Sequence, residues 1–184
     1  MSNPKYPVGI IGGGAWGTAL AAVMAQIHDD VLIWAREPEV VAGINDAHEN
    51  STFLAGLKLS SKIIATGDLN RMVDCGALLV VTPAQHVRAT LAALPETPAP
   101  LLLCAKGSEA DTQLLVADIA SQVRPDNPLA VLSGPTFAHE VAAGKPTAIT
   151  LATANQSLGS ALMRLIAAPH FRPYWSNDVV GAEI

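Results

Sequence analysis

VGIIGGGAWGTAL, residues 8–20, opens with four residues suited to a strand and closes with residues suited to a helix. Between them Gly12, Gly14 and Gly17 form G-x-G-x-x-G, placed directly after the strand and at the start of the helix. That is the placement a dinucleotide fingerprint requires. Gly12 permits the tight turn, Gly14 lets the backbone come against a pyrophosphate, and Gly17 lets helix and strand pack closely. The unpaired N–H groups and the dipole at the helix start favour the phosphates' negative charge. The same glycines could instead close a bare turn with no ligand. A triphosphate loop is disfavoured, because G-x-x-x-x-G-K-S/T does not occur.

Outward from this stretch, short apolar runs alternate with helix-patterned ones. VLIW (31–34), KIIA (62–65), ALLVV (77–81), PLLLCA (100–105), LAVLS (129–133), TAITLA (147–152) and FRPYW (171–175) read as strands. PEVVAGINDA, DLNRMVD, PAQHVRATLAAL and TQLLVADIASQV read as helices between them. Several strand runs are apolar throughout, as in strands covered on both faces. The expected fold is α/β: a Rossmann-type, doubly wound, mostly parallel sheet with helices on both faces. Residues 1–176 are expected to form this domain, and LPETPAP (94–100) reads as a surface connection within it.

Composition narrows the function. Half of the 184 residues are apolar, 15% are charged and the net charge is −5, which describes a compact globular chain. No basic cluster suggests nucleic acid or an anionic membrane, and no signal peptide or spanning segment is visible. Cys75 and Cys104 suit neither a disulfide framework nor a zinc site, and read as reduced thiols of a cytoplasmic protein, with Cys104 buried in a strand. No metal site is expected.

Cofactor type is set near the end of the second strand, where an acidic residue holds ribose hydroxyls and an arginine accepts a 2′-phosphate. The chain has Arg36 followed by Glu37. Arg36 argues for NADP and Glu37 tempers it, so the cofactor is NADP or NAD; a solvated surface pair is the alternative. Two further loops follow strands at the carboxyl edge, where ligands of open α/β sheets bind. One carries Lys106 and Gly107, the other Gly134, Pro135 and Thr136 opening a helix. Among the histidines, His139 is placed nearest the site, while His28, His48, His86 and His170 read as surface or loop residues.

The motifs GGGAWGTALA, VLIWARE, NDAHENSTFLAGLKL, VVTPAQHVR, CAKGSE, VLSGPTFAHEVAAGKPTA and NDVVGAEI, in this order, resemble the N-terminal domain of bacterial NAD(P)-dependent glycerol-3-phosphate dehydrogenases over residues 8–184. The resemblance implies hydride transfer between nicotinamide and C2 of sn-glycerol 3-phosphate or dihydroxyacetone phosphate, serving glycerophospholipid synthesis. It implies that Gly12, Gly14, Ala15, Trp16, Gly17, Arg36, Phe53, Lys106 and Ala138 meet the cofactor, and that Lys106, Gly134 and Thr136 meet the substrate. The chain departs from the family at Ala55 and Ser60, where prolines are usual.

In the family, the segment resembling GAEI continues into a helix with the acid/base lysine, and then into a helical domain. Residues 177–184 are accordingly expected to start that domain, through which the parent enzyme would form a homodimer. Taking hydride from a secondary alcohol requires a positioned base near neutral pH. Lys106 can assist, but the chain is expected to be catalytically incomplete. A ketopantoate reductase or 6-phosphogluconate dehydrogenase type of enzyme, or a stand-alone dinucleotide sensor, remain alternatives.

Overall fold

The structure is a computed structural model that describes residues 4–184. Eight strands, β1 (Val8–Ile11), β2 (Val31–Trp34), β3 (Ile63–Thr66), β4 (Leu78–Val80), β5 (Leu101–Leu103), β6 (Leu129–Ser133), β7 (Thr147–Ala152) and β8 (Phe171–Ser176), form one sheet. Its order is β3-β2-β1-β4-β5-β6-β7-β8. All neighbours are parallel except β6 and β7, which pair antiparallel with Val131 opposite Ala152. The expected doubly wound sheet is therefore present, and the order reverses at β1, between β2 and β4. A crevice opens at such a switch point, beyond the carboxyl ends of the strands.

The helices are α1 (Ala15–Met24), α2 (Pro38–Ala42), α3 (Ala84–Ala93), α4 (Val116–Val123), α5 (Ala138–Ala142), α6 (Gln156–Ile166) and α7 (Val179–Glu183). A π-helical turn over Gly43–Ala47 extends α2, and a 3-10 turn occupies Leu69–Asp74. Side chains alternate across the sheet. Ile10 and Ile33 face the core beneath α1, whereas Ile11 and Leu32 face the core beneath α3 and α4. With both faces covered, every β1 residue is buried, which is why the strand shows no polar alternation. No helix among the described residues is long and apolar enough to cross a membrane.

Two expectations change. The connection at 94–100 is not simply superficial: Thr97 and Ala99 are buried, and the Asn127 side-chain amide donates to the carbonyls of both. Helix α4 starts at Val116 rather than near Thr112, because Thr112 donates its hydroxyl to Glu109 and Gln113 takes a positive φ of 60°. Cys75 and Cys104 are buried free thiols, Cys104 one residue past β5. Burial pushes the Cys75 thiol up to about 12 and raises Cys104 as well, so neither is poised to react.

Helix α7 packs back on β6 and β7. Its Glu183 is 3% exposed and accepts a 2.8 Å hydrogen bond from the Ala117 N–H, capping α4, whose own N-cap Leu115 has no side-chain acceptor. Burial raises the Glu183 pKa above its ordinary 4.5, against the lowering effect of the N–H donors. A carboxyl raised on folding contributes stability below its unfolded pKa, and that contribution is lost as pH rises through the folded value. Glu183→Gln keeps an acceptor without the buried charge. It should flatten this part of the pH dependence and equal or exceed the parent in stability at neutral pH, as read from denaturation midpoints on both sides of pH 4.5. A variant that falls below the parent at neutral pH would show that the charge itself caps the helix.

Candidate functional site

The residues after β1 build the floor of the site. Gly12 takes a φ of +129°, open to glycine but strained for other residues, and its N–H donates to the Trp34 carbonyl at 3.0 Å. Gly17 stands where a Cβ would collide with the Gly12 carbonyl oxygen. Gly14 is different. It is the N-cap of α1 in an ordinary extended conformation, and an added Cβ there would meet nothing within 4 Å. Fold geometry therefore requires Gly12 and Gly17, while Gly14 leaves open space above the first N–H groups of α1.

That space belongs to a cleft of about 640 Å³ at the switch point. It is lined by Gly12, Gly14, Ala15, Trp16, Gly17, Arg36 and Phe53, so seven of the expected cofactor residues converge there. Arg36 is largely exposed and pairs with Glu37 at 3.2 Å, and Glu37 lies on the same wall. The rim after β2 thus presents a cation and an anion side by side.

Phe53 is brought to the cleft by Asn50, which carried no assignment in the sequence reading. Asn50 is 1% exposed; its amide donates to the Gly13 carbonyl at 2.9 Å and the Thr18 hydroxyl at 2.7 Å. Its carbonyl oxygen accepts from the Phe53 N–H at 3.1 Å. One buried amide therefore ties the glycine loop to the turn bearing Phe53.

The opposite wall comes from the segment after β4: Val81, Thr82, Pro83 and one face of α3, including His86, Ala89, Thr90 and Ala93. None of these is an expected site residue, and His86 reads from sequence as a surface or loop residue. Their signal lay in sheet order, since β4 borders β1 on the side away from β2. Thr82 is 7% exposed, and among the described residues its hydroxyl has no hydrogen-bond partner. An unpaired buried hydroxyl is costly, and a polar group in the cleft would satisfy it. His86, rather than His139, is the histidine on the cleft wall; His139 is exposed on α5. His28 is bound by its ring to the Leu165 carbonyl at 2.9 Å.

Lys106, Gly134, Thr136 and Ala138 are not part of this lining. They follow β5 and β6, farther along the same carboxyl edge. Lys106 is exposed. Helix α5 packs on α1, and it begins at Ala138, two residues beyond Thr136, rather than at the Gly-Pro-Thr turn itself.

Open space at Gly14, the N-terminus of α1 beneath it, an unpartnered hydroxyl and a cleft of this volume suit an anionic dinucleotide. Comparison with known proteins agrees with that chemistry. Residues 7–159 match the family described as NAD-dependent glycerol-3-phosphate dehydrogenase N-terminus. A glycerol-3-phosphate dehydrogenase (NAD(P)+) of Erythrobacter litoralis is 55% identical over 177 residues, covering 96% of this chain and 54% of that protein. One from Sphingopyxis alaskensis is 56% identical over 176 residues, covering 96% of this chain and 53% of that protein. The crystal structure of glycerol-3-phosphate dehydrogenase from Coxiella burnetii superposes with a TM-score of 0.89 at 29% identity, covering 97% of this chain and 56% of that one. The chain spans about half the length of the curated relatives it matches.

Proposed function

Because the chain belongs to the family of NAD-dependent glycerol-3-phosphate dehydrogenase N-terminal domains, we propose that it is the dinucleotide-binding part of an enzyme interconverting sn-glycerol 3-phosphate and dihydroxyacetone phosphate with NADP(H) or NAD(H). The observation that carries this reading is the glycine loop at the start of α1, opening into the cleft with Arg36 and Phe53 on its rim. Gly12 and Gly17 shape the loop, Gly14 admits the pyrophosphate, and the first N–H groups of α1 receive its charge. Ala15 and Trp16 continue the floor. Arg36 faces a 2′-phosphate, and Glu37 beside it accepts from a ribose hydroxyl when that phosphate is missing. When bound, the dinucleotide supplies or accepts the hydride.

Lys106 is assigned to the nicotinamide region and the substrate oxygen, Gly134 and Thr136 to the substrate, and Ala138 to the cofactor. An exposed ammonium at the end of β5 can donate a hydrogen bond to a carbonyl or phosphate oxygen. In this reading it orients the substrate oxygen, and the base is supplied elsewhere. On this reading residues 1–176 are the dinucleotide-binding domain, and 177–184 begin a helical domain that completes the site and dimerises. The enzyme works in the cytoplasm on small molecules, toward glycerophospholipids. Family membership and two buried thiols support that placement.

Two outcomes test the reading. Arg36→Ala should weaken NADPH binding by about tenfold or more, the loss expected for one charge-assisted phosphate contact of about 1.5 to 3 kcal/mol, and NADH much less. Calorimetric titration of both cofactors decides it: an equal loss means Arg36 stacks on the adenine, and no loss means a surface pair. A polypeptide of these 184 residues should also bind NADPH without measurable reduction of dihydroxyacetone phosphate. A missing general base costs about 10² to 10⁴ in rate, and unpositioned substrate costs more. NADPH absorbance at high protein concentration reads this, and robust turnover would place the base within these residues.

A further inference from the structure

Helix α3 (Ala84–Ala93) has three faces, and only two are used by the fold and the cleft. Ala84, Val87 and Leu91 are buried in the core. His86, Ala89, Thr90 and Ala93, at the spacing of one helical stripe, line the cleft. Gln85 and Arg88 occupy the third face, where both hold the segment that follows β5.

The hold is specific to backbone and carboxylate. The Gln85 side-chain N–H donates to the Ser108 carbonyl at 2.8 Å, and its oxygen accepts from the Ala110 N–H at 2.9 Å. Arg88 meets the Glu109 carboxylate with two prongs, Nε to Oε1 and Nη2 to Oε2, each at 2.9 Å. Its remaining Nη1 donates to Gln122 on α4 at 3.2 Å. The Thr112 hydroxyl donates to Glu109 at 2.6 Å, and the Glu109 N–H donates to the Leu114 carbonyl at 2.9 Å. Arg88 and Thr112 hold the Glu109 carboxyl below its ordinary value, so the pair remains ionised through neutral pH.

Lys106 lies between this clamp and the sheet. On its upstream side, the Cys104 N–H donates to the Val80 carbonyl at 2.9 Å. On its downstream side, Gly107 turns with a φ of +96° into Ser108, the first clamped residue. The core face of α3 already anchors the helix, so the Gln85 and Arg88 contacts act on the loop rather than on the helix.

We propose that Gln85 and Arg88 are positioning residues for Lys106: they fix the loop carrying the lysine to the back of the helix whose front lines the cleft, so that a dinucleotide in the cleft meets the lysine in one geometry. The inference rests on the reading of the cleft as a dinucleotide site. Arginine is suited to the task, since a planar fork on a carboxylate sets direction as well as distance. Helix α3 then responds to cofactor on one face and transmits its position to the substrate lysine on another.

The test uses acetylation of Lys106 by an N-hydroxysuccinimide ester, followed by peptide mass spectrometry, with Lys58 and Lys62 as internal standards. In the parent chain, NADPH at ten times its Kd should slow Lys106 acetylation by about tenfold, as mass action requires of a shielded amine. In the Gln85→Leu/Arg88→Met double variant the protection should vanish while NADPH affinity falls only a few-fold, about the share of one exposed lysine contact. Glu109→Gln, which breaks the clamp from the loop side, should act in the same direction if the double variant does not fold. Retained protection in a clamp variant that binds NADPH would overturn the proposal, as would a parallel loss of NADPH affinity, which would make the clamp a general structural support. Lack of Lys106 protection in a parent chain that binds NADPH would overturn it too. Failure of the parent chain to bind NADPH would overturn the dinucleotide reading itself, and this proposal with it.

Discussion

Gly17→Ala should be destabilised by about 3 kcal/mol or more. The added Cβ points at the carbonyl oxygen of Gly12, a backbone atom that no rotamer change can move aside. Gly12 is itself held by its N–H bond to Trp34 and by a φ few residues adopt, so the collision spreads into β1 and the switch point. Overpacking costs about 1 to 3 kcal/mol where side chains can yield, and a clash with fixed backbone belongs at or above the top of that range. For a chain of this size, about 3 kcal/mol lowers the melting temperature by about 6 to 12 °C. Thermal and urea denaturation read it directly. A Gly17→Ala protein as stable as the parent would mean that the loop is slack and that the close approach of α1 to β1 is not enforced.

Gly14→Val should do the opposite: fold, and lose the dinucleotide. Valine adopts the Gly14 backbone conformation of φ −69°, ψ −176°, and its Cβ meets no protein atom. The expected folding cost is about 1 kcal/mol, the penalty of a branched residue at an N-cap. In the cleft, however, the isopropyl group occupies the path by which a pyrophosphate reaches the first N–H groups of α1. Hydrogen bonds to a charged group contribute about 1.5 to 3 kcal/mol each, so losing two weakens binding by about 100-fold or more. Calorimetry with NADPH on parent and variant, each checked for folding by circular dichroism, gives the comparison. Equal affinity would make the loop a turn and nothing more. The contrast between the two glycines separates a residue the fold needs from one the ligand needs.

Much of this contrast is legible in the sequence. The runs at 8–11, 31–34, 129–133 and 147–152 coincide with β1, β2, β6 and β7; for β1 and β2 the reason is that strands buried on both faces leave an uninterrupted apolar trace. The glycine loop was legible because the local chain carries its own requirement. What escaped depends on partners distant in sequence. The start of α4 is delayed by a polar network centred on Glu109 and Arg88, 21 residues apart. The burial of Thr97 depends on Asn127, 30 residues away. Thr82 and His86 belong to the cleft only because β4 lies beside β1, and strand order is not written in strand composition. Asn50 looked like one polar residue in a loop, yet its amide meets the glycine loop 37 residues upstream.

On this reading a dinucleotide occupies the cleft at the switch point. Amide chemical-shift mapping of NADPH on the nitrogen-labelled chain tests it most directly, because it reports the place of binding as well as its occurrence. Saturable shifts are expected at Gly12 to Gly17, Arg36, Phe53 and the Thr82 to Ala93 wall, with little change at the separate hollow beside α7 formed by Ala117, Leu129, Asn155 and Val179. Saturable shifts centred on that hollow, or an unchanged spectrum at millimolar NADPH, would contradict it.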